Sequence, residues 1–112
     1  MPSLAEIREQ RRSARLADLR RGVVAEVEGH PNTEVWLFGS FARGDWDAYS
    51  DVDLLAIGPS EPAAEALADA LLSAHLGDDV LPLTHERWQQ LRSSDNPYWR
   101  EIGADALRLD QP

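Results

Sequence analysis

Two closely spaced carboxylates are the residues of this chain whose types and spacing most clearly suggest chemistry. Asp51 and Asp53 flank Val52 and lead into an apolar run at 54–57. Because alternate side chains of a strand share a face, the two carboxylates are predicted to project side by side. Adjacent carboxylates repel each other unless a cation neutralises them, and Mg²⁺ commonly takes one or two carboxylates and completes its shell with waters and phosphates. The pair therefore predicts a magnesium site.

A Gly-Ser turn is the second feature of this stretch. The apolar run 35–38 has strand character and ends abruptly at Gly39 and Ser40. Glycine permits close backbone approach, and amides turned outward at such a turn can bind phosphate oxygens. A short helix predicted at 41–43 would place those amides near a helix amino terminus, where phosphate binds readily. The turn and the carboxylates together predict a site for a metal-bound phosphate chain.

Each of these pieces also has an ordinary structural explanation. An Asp-x-Asp sequence in an acidic chain usually marks a solvated turn, and a single Gly-Ser is common. The carboxylates here open an otherwise buried strand, where Val or Thr would be usual. The combination favours the metal and phosphate interpretation over the structural one for the whole set.

Arg43 follows the turn and has two open interpretations. Its guanidinium could reach a phosphate oxygen, or it could form a salt bridge with Asp45 or Asp47 in the polar loop 44–50. The aromatic side chains of that loop, Trp46 and Tyr49, are expected to pack back on the domain rather than stack on a base. Ser50 is expected to order the turn that leads into the aspartate pair.

The whole stretch resembles a known family of enzymes. Gly39-Ser40, ten intervening residues and Asp51-x-Asp53 are similar to the signature of the DNA polymerase beta-type nucleotidyltransferases. The longer string GSFARGDWDAYSDVDLL resembles the minimal nucleotidyltransferases, the MNT group. This resemblance implies transfer of AMP from ATP, with Asp51 and Asp53 holding two Mg²⁺ ions and Gly39 and Ser40 gripping the triphosphate.

A third carboxylate is also implied by the resemblance. In the family it opens a later strand, and Asp79 in the sequence DVLPLT occupies the corresponding place. Asp79 would complete the metal site and could accept the proton of an attacking hydroxyl. The neighbouring Asp78 remains an alternative, because a slip of one residue along a strand reverses the faces.

The resemblance also implies a partner protein. Larger relatives carry a second domain for the acceptor, and no segment after Asp79 is long enough for one. Minimal members resemble antitoxins of HEPN/MNT toxin–antitoxin pairs, which are thought to adenylylate a tyrosine of an all-helical HEPN ribonuclease. A complex with such a toxin is therefore the leading expectation. The alternatives are a small-molecule adenylyltransferase completed by a second subunit, and a catalytically idle antitoxin that acts by binding.

Composition limits the other classes of function. A chain of 112 residues with 43% apolar content suits one domain spanning 1–112. The net charge of −9 disfavours direct binding to nucleic acid or to an anionic membrane. Cysteine is absent, which excludes disulfides and thiolate sites, and no apolar run approaches the length of a membrane span. We therefore expect a cytoplasmic protein.

The charge is unevenly distributed along the chain. Residues 1–44 contain seven Arg and six acidic residues, whereas residues 45–112 contain four Arg and fourteen acidic residues. Six of these arginines lie on the first predicted helix: Arg8, Arg11, Arg12, Arg15, Arg20 and Arg21. This face could meet an acidic partner or a phosphate chain, but a solvated face is the favoured interpretation.

The elements that must position the site are predicted from periodicity and caps. The fold class is α/β (α+β), with a twisted mixed sheet of four to five strands flanked by helices. Helices are predicted at about 3–28, 41–43, 63–76, 85–92 and 97–102. Strands are predicted at 33–38, 51–57, 79–84 and 106–109. The catalytic core spans about 33–84, and the segment 85–109 supplies the carboxyl-terminal helices and the last strand.

Four details of these elements can be tested against the structure. Pro82 predicts that the strand 79–84 is an edge strand, because proline lacks the N–H of a ladder hydrogen bond. Gly77 predicts the carboxyl-terminal cap of the helix 63–76, and the adjacent His75 is expected to cover the last carbonyls. Leu72 is expected to face the core together with Leu67 and Leu71.

Overall fold

The computed structural model describes residues 1–44 and 51–111, which form five helices and a four-stranded mixed sheet. In chain order the elements are α1 (Leu4–Val27), β1 (Glu34–Phe38), α2 (Ser40–Arg43), β2 (Asp53–Gly58), α3 (Glu61–Ser73), β3 (Asp79–Thr84), α4 (His85–Arg92), α5 (Pro97–Asp105) and β4 (Leu107–Arg108). The predicted α+β class and mixed sheet are confirmed. Within the described ranges, no helix is both long and apolar enough to cross a membrane.

The strands are arranged in the order β3-β2-β1-β4. β1 pairs antiparallel with both β2 and β4, whereas β2 and β3 run parallel. Because parallel neighbours cannot be joined by a tight hairpin, α3 supplies the crossover between them. This topology brings the end of β1 and the starts of β2 and β3 to the same end of the sheet.

Each face of the sheet carries its own apolar cluster. Leu54 and Ala56 of β2 pack in a cluster with residues of α1 and α3. Leu55 and Ile57 point the other way and pack with Trp88 of α4 and Ile102 of α5. β2 is therefore buried on both faces, and its alternation assigns Asp53 to the α4 and α5 face.

The first helix extends beyond the core. Ser3 caps it, since its Oγ accepts a hydrogen bond from the N–H of Glu6 at 3.1 Å. Leu19 and Val23 are buried, but Leu4 in the first turn is 86% exposed. The amino-terminal turns of α1 therefore project past the sheet.

The end of α3 differs from the prediction. The helix ends at Ser73, and His75 adopts the left-handed conformation with φ 57°, its N–H donating to the carbonyl of Leu72. Gly77 is not the cap. A Cβ at this position would lie 2.9 Å from Leu54 Cδ1 and 3.1 Å from Val80 Cγ2, so Gly77 permits close packing instead.

Leu72 was also predicted wrongly, because it is 41% exposed. The buried residues of α3 are Ala64, Leu67, Ala68 and Leu71. At 3.6 residues per turn, Leu72 lies roughly 90° from the centre of that stripe. The adjacent leucines Leu71 and Leu72 did not reveal from the sequence alone which of them faces the core and which faces solvent.

Pro82 lies on an edge strand, as predicted. The N–H of Asp79 donates to the carbonyl of Val52, so Asp79, Leu81 and Leu83 direct their backbone groups toward β2. The alternate residue Pro82 directs its backbone to the open edge. The missing N–H of Pro82 is therefore on the side where none of the described strands pairs with β3.

Candidate active site

The Gly-Ser turn lies beside Asp53, the first residue of β2. Phe38 is opposite Asp53 in the antiparallel register of β1 and β2, so the chain turns at Gly39 directly beside Asp53. Gly39 has φ 80° and ψ −161°, a conformation that is essentially limited to glycine. A Cβ at Gly39 would lie 2.5 Å from Asp53 Oδ2. Both the backbone conformation and the space therefore require glycine here.

The parallel register brings a second aspartate to the same place. Asp53 and Asp79 are opposite each other at the starts of β2 and β3. Asp53 is half-buried, whereas Asp51 and Asp79 are exposed. The structure thus collects the predicted aspartates at the end of the sheet where the Gly39 turn lies.

The carboxylate of Asp53 is repelled by the negative charges of the neighbouring aspartates. Burial raises the pKa of Asp53 above its ordinary value of 3.8, and the negative charges of Asp79, Asp51 and Asp78 raise this pKa further. Each of these three charges disfavours the ionised form of Asp53. The arrangement is therefore electrostatically unfavourable on its own and is suited to bind a cation.

Asp78 and Asp79 have different surroundings. Asp79 is paired in register with Asp53, whereas Asp78 precedes β3 and contacts Val52. Its Oδ2 accepts a hydrogen bond from the N–H of Val52 at 2.7 Å, and its N–H donates to the carbonyl of Val52 at 2.8 Å. β2 begins at Asp53 rather than at Asp51 as predicted, because its ladder with β1 ends where Phe38, the last residue of β1, is opposite Asp53.

The helix that follows the turn is held by α1. The side chain of Phe41 in α2 is fully buried, and Arg12 Nη2 donates a hydrogen bond to its carbonyl oxygen at 3.0 Å. The guanidinium groups of Arg12 and Arg15 also lie over the Phe41 ring, 5.8 and 5.5 Å from its centroid. These contacts fix α2, which begins at Ser40, against the first helix.

The role of Arg12 was missed in the sequence. The solvated interpretation of the Arg-rich face is wrong for this residue, whose side chain is only 16% exposed. The sequence does contain a pattern that indicates this contact. Arg12 continues the helical stripe of Leu16, Leu19 and Val23 at spacings of three and four. An arginine in line with buried apolar residues indicates a contact with the rest of the domain.

Arg43 is exposed in the last turn of α2. The proposed salt-bridge partners Asp45 and Asp47 lie outside the described residues, as do Trp46, Tyr49 and Ser50. The two interpretations of Arg43 therefore stay predictions.

The donor set fits Mg²⁺ in type. In ranges 1–44 and 51–111, no three His, Cys, Asp or Glu side chains are close enough together to hold a metal ion. Mg²⁺ does not need such a cage, because it usually binds through one or two carboxylates and retains waters or substrate phosphates. The Asp53 carboxylate and its acidic neighbours offer the oxygen ligands, and the adjacent turn is the one at which the sequence predicts backbone amides for phosphate.

Comparison with known proteins identifies a similar domain and a similar fold. Residues 17–95 match the family model described as a nucleotidyltransferase domain. A chain of the crystal structure of the toxin-antitoxin with AMP-PNP is similar, with a TM-score of 0.51 and 22% identity over 80% of this chain and 71% of that chain. At this identity the similarity concerns the fold. A search among curated proteins found no match.

Proposed function

Because residues 17–95 match its model, the chain belongs to the nucleotidyltransferase domain family, and we propose that it transfers AMP from ATP to a hydroxyl group of a partner protein. The family membership confirms the resemblance indicated by the string GSFARGDWDAYSDVDLL. One observation supports the proposed activity above all. The Gly39 turn lies against Asp53, and Asp53 lies opposite Asp79, so a backbone suited to phosphate meets oxygen ligands suited to Mg²⁺.

The proposed roles follow from the chemistry of each group. Asp51 and Asp53 would hold Mg²⁺, with Asp79 as the third carboxylate. When bound, Mg²⁺ would neutralise the phosphate oxygens and the charge that develops during transfer. The backbone of Gly39 and Ser40 would bind the triphosphate, and Arg43 is a further candidate for a phosphate contact.

The transfer step needs a nucleophile, a base and a leaving group. The acceptor hydroxyl oxygen attacks the α-phosphorus, the bond between that phosphorus and the oxygen bridging to the β-phosphate breaks, and pyrophosphate leaves. Asp79 is proposed to accept the hydroxyl proton. Positioning and charge stabilisation supply most of the acceleration in such reactions, which suits a site built from a fixed turn and fixed carboxylates.

The proposed partner is a toxin. The similar solved structure is a toxin-antitoxin with AMP-PNP, and this supports an antitoxin role for the present chain. On this proposal the acceptor is a tyrosine of an all-helical HEPN ribonuclease, which is neutralised by adenylylation. Binding of ATP, the use of two Mg²⁺ ions and the identity of the toxin are parts of the same proposal.

Two alternatives make different predictions. A small-molecule adenylyltransferase completed by a second subunit would modify a soluble hydroxyl compound rather than the partner. An idle antitoxin would neutralise its partner by contact without transferring AMP. The intact Gly39-Ser40 turn and the three aspartates Asp51, Asp53 and Asp79 favour an enzyme over an idle binder.

Calorimetry tests the nucleotide site. ATP is expected to bind in the presence of Mg²⁺ and to bind weakly in EDTA, since the ionised aspartates repel the triphosphate. Equal affinity under both conditions would contradict the proposed site.

Co-expression with the adjacent gene product tests the reaction. Intact-mass spectrometry is expected to show a partner that carries one or more AMP groups with the wild type and none with Asp53→Asn. Neutralisation that survives Asp53→Asn without added mass would support the idle antitoxin instead.

A further inference from the structure

Asp78 lies among the acidic residues of the site but makes a different kind of contact. Its side-chain Oδ2 accepts a hydrogen bond from the N–H of Val52 at 2.7 Å. Its backbone N–H donates to the carbonyl of the same residue at 2.8 Å. Both polar backbone groups of Val52 are thereby bonded to Asp78, and the carbonyl also accepts a hydrogen bond from the N–H of Asp79 at 3.3 Å, so the side chain of Asp78 is what holds the Val52 N–H.

Val52 is the residue whose backbone direction matters most to the carboxylates. It stands between Asp51 and Asp53, so its dihedral angles set the relative directions of their side chains. The register of β1 and β2 ends with Phe38 opposite Asp53, which leaves Val52 beyond the antiparallel ladder. Its side chain is anchored in the apolar cluster on the α1 and α3 face, with 4% exposure.

We propose, on the basis of the function proposed above, that Asp78 is a positioning residue that holds Val52 so that Asp51 and Asp53 project together toward Asp79. On this assignment Asp78 does not bind the metal ion itself. What the site needs from residue 78 is a hydrogen-bond acceptor, not a negative charge. Asparagine offers a side-chain carbonyl acceptor, whereas alanine offers none.

Three variants separate the two roles. Asp78→Asn keeps the acceptor and removes the charge, Asp78→Ala removes both, and Asp79→Asn removes the charge of the predicted ligand. Asp95→Ala, at an exposed position between α4 and α5, is the matched control for the loss of a surface carboxylate. Each protein is titrated with α,β-methylene-ATP in Mg²⁺ and in EDTA, because this analogue cannot undergo transfer.

Hydrogen exchange at the Val52 amide gives a readout that is independent of catalysis. Asp78→Ala is expected to lose about tenfold or more in both Val52 protection and Mg²⁺-dependent affinity, as expected for loss of a hydrogen bond to a charged group. Asp78→Asn is expected to stay within about threefold of the wild type in both. Asp79→Asn should retain the protection of Val52 but lose the Mg²⁺-dependent affinity.

Two results would overturn the proposal. If Asp78→Asn loses Mg²⁺-dependent affinity as Asp79→Asn does, Asp78 binds the metal. If Asp78→Ala exposes the Val52 amide but binds Mg²⁺ and the analogue as the wild type does, the hydrogen bond is only structural. If Asp78→Ala does not fold, Asp78→Asn decides.

These measurements, combined with the mass-spectrometric transfer assay on the wild type, separate this proposal from the function on which it rests. A wild-type protein that binds Mg²⁺ and the analogue but transfers no AMP contradicts the proposed function. The comparison of Asp78→Ala with Asp78→Asn still decides the role of Asp78 in that case.

Discussion

At the scale of single residues, Asp53 is the carboxylate whose ionised form the site destabilises. Its carboxylate is half-buried, contacts the backbone of the turn at Gly39 and is surrounded by three other aspartates. Folding brings these charges together, whereas the unfolded chain separates and solvates them. The metal-free protein therefore carries a local destabilisation at the place where a cation would bind.

Asp53→Asn is expected to raise the melting temperature of the metal-free protein by a few degrees at neutral pH. Since the folded-state pKa of Asp53 is raised, the stability contributed by its protonated form is fully present below the ordinary value of 3.8. This stability is lost as the pH rises through the raised folded-state pKa. The gain from Asp53→Asn should therefore be largest at neutral pH and shrink on acidification.

Thermal melts in EDTA from neutral pH to about pH 3 measure this effect. Asp69→Asn, at an exposed position of α3, is the control. A melting temperature that falls in Asp53→Asn at neutral pH would mean that Asp53 stabilises the fold.

Gly39→Ala is expected to lower the free energy of unfolding by about 1–3 kcal/mol, the usual cost of a strained backbone conformation. The added methyl group would also meet Asp53 Oδ2. Urea denaturation measures the loss, with Gly29→Ala as the control, because a Cβ at Gly29 would lie 3.8 Å from the Glu26 carbonyl. Equal stability of the two variants would contradict the contact between the turn and Asp53.

At the scale of elements, α1 connects the core to the candidate site. Its apolar stripe packs on the α3 face of the sheet, and one turn earlier Arg12 takes the place of an apolar residue to hold α2. The first helix therefore supports the turn that begins α2, although Gly39 and Arg12 are far apart in sequence.

Arg12→Ala is expected to lower the free energy of unfolding by about 1–3 kcal/mol, because the variant leaves the Phe41 carbonyl without its charged donor. Arg11→Ala, at an exposed position of the same helix, should change it by less than about 0.5 kcal/mol. Denaturant midpoints compare the two. If both variants have the stability of the wild type, the hydrogen bond from Arg12 contributes nothing to the fold.

The order of the elements could be predicted because its signals are local. Ser3, Ser60 and Thr84 each cap a helix through a side-chain oxygen, and Pro97 begins α5. Caps and turns depend on the residues next to them in the chain, so they can be predicted from the sequence alone.

The features that could not be predicted depend on contacts between distant segments. Gly77 looked like a helix cap, but its packing against Leu54 and Val80 requires the sheet. The separate placements of Asp78 and Asp79 likewise depend on the register of β2 and β3, which no local pattern fixes. The candidate site residues could therefore be identified from the sequence, but their positions relative to one another required the structure.

At the scale of the molecule, the protein is elongated, with extents of 50 × 34 × 22 Å. The exposed first turns of α1 carry arginines, whereas the segment from residue 45 onward is strongly acidic. Separate surfaces of opposite charge can steer and orient a partner. This distribution is consistent with the proposed complex with a toxin.

Pro82→Val is expected to promote self-association, because it supplies an N–H donor on the open side of β3. Light scattering at increasing protein concentration measures this, with Pro59→Val as a control at an exposed position outside the strands. A variant that stays as dispersed as the wild type would show that Pro82 does not limit pairing at this edge.

The position of Pro82 also limits how another protein can recognise this one. A segment that extended the sheet by strand addition would depend on a regular series of main-chain donors and acceptors, and at residue 82 the donor is missing. Recognition through a main-chain ladder is therefore interrupted in the middle of β3. A partner that binds at this edge must recognise side chains and helix surfaces instead, so its specificity would depend on the side chains of this chain rather than on its main chain.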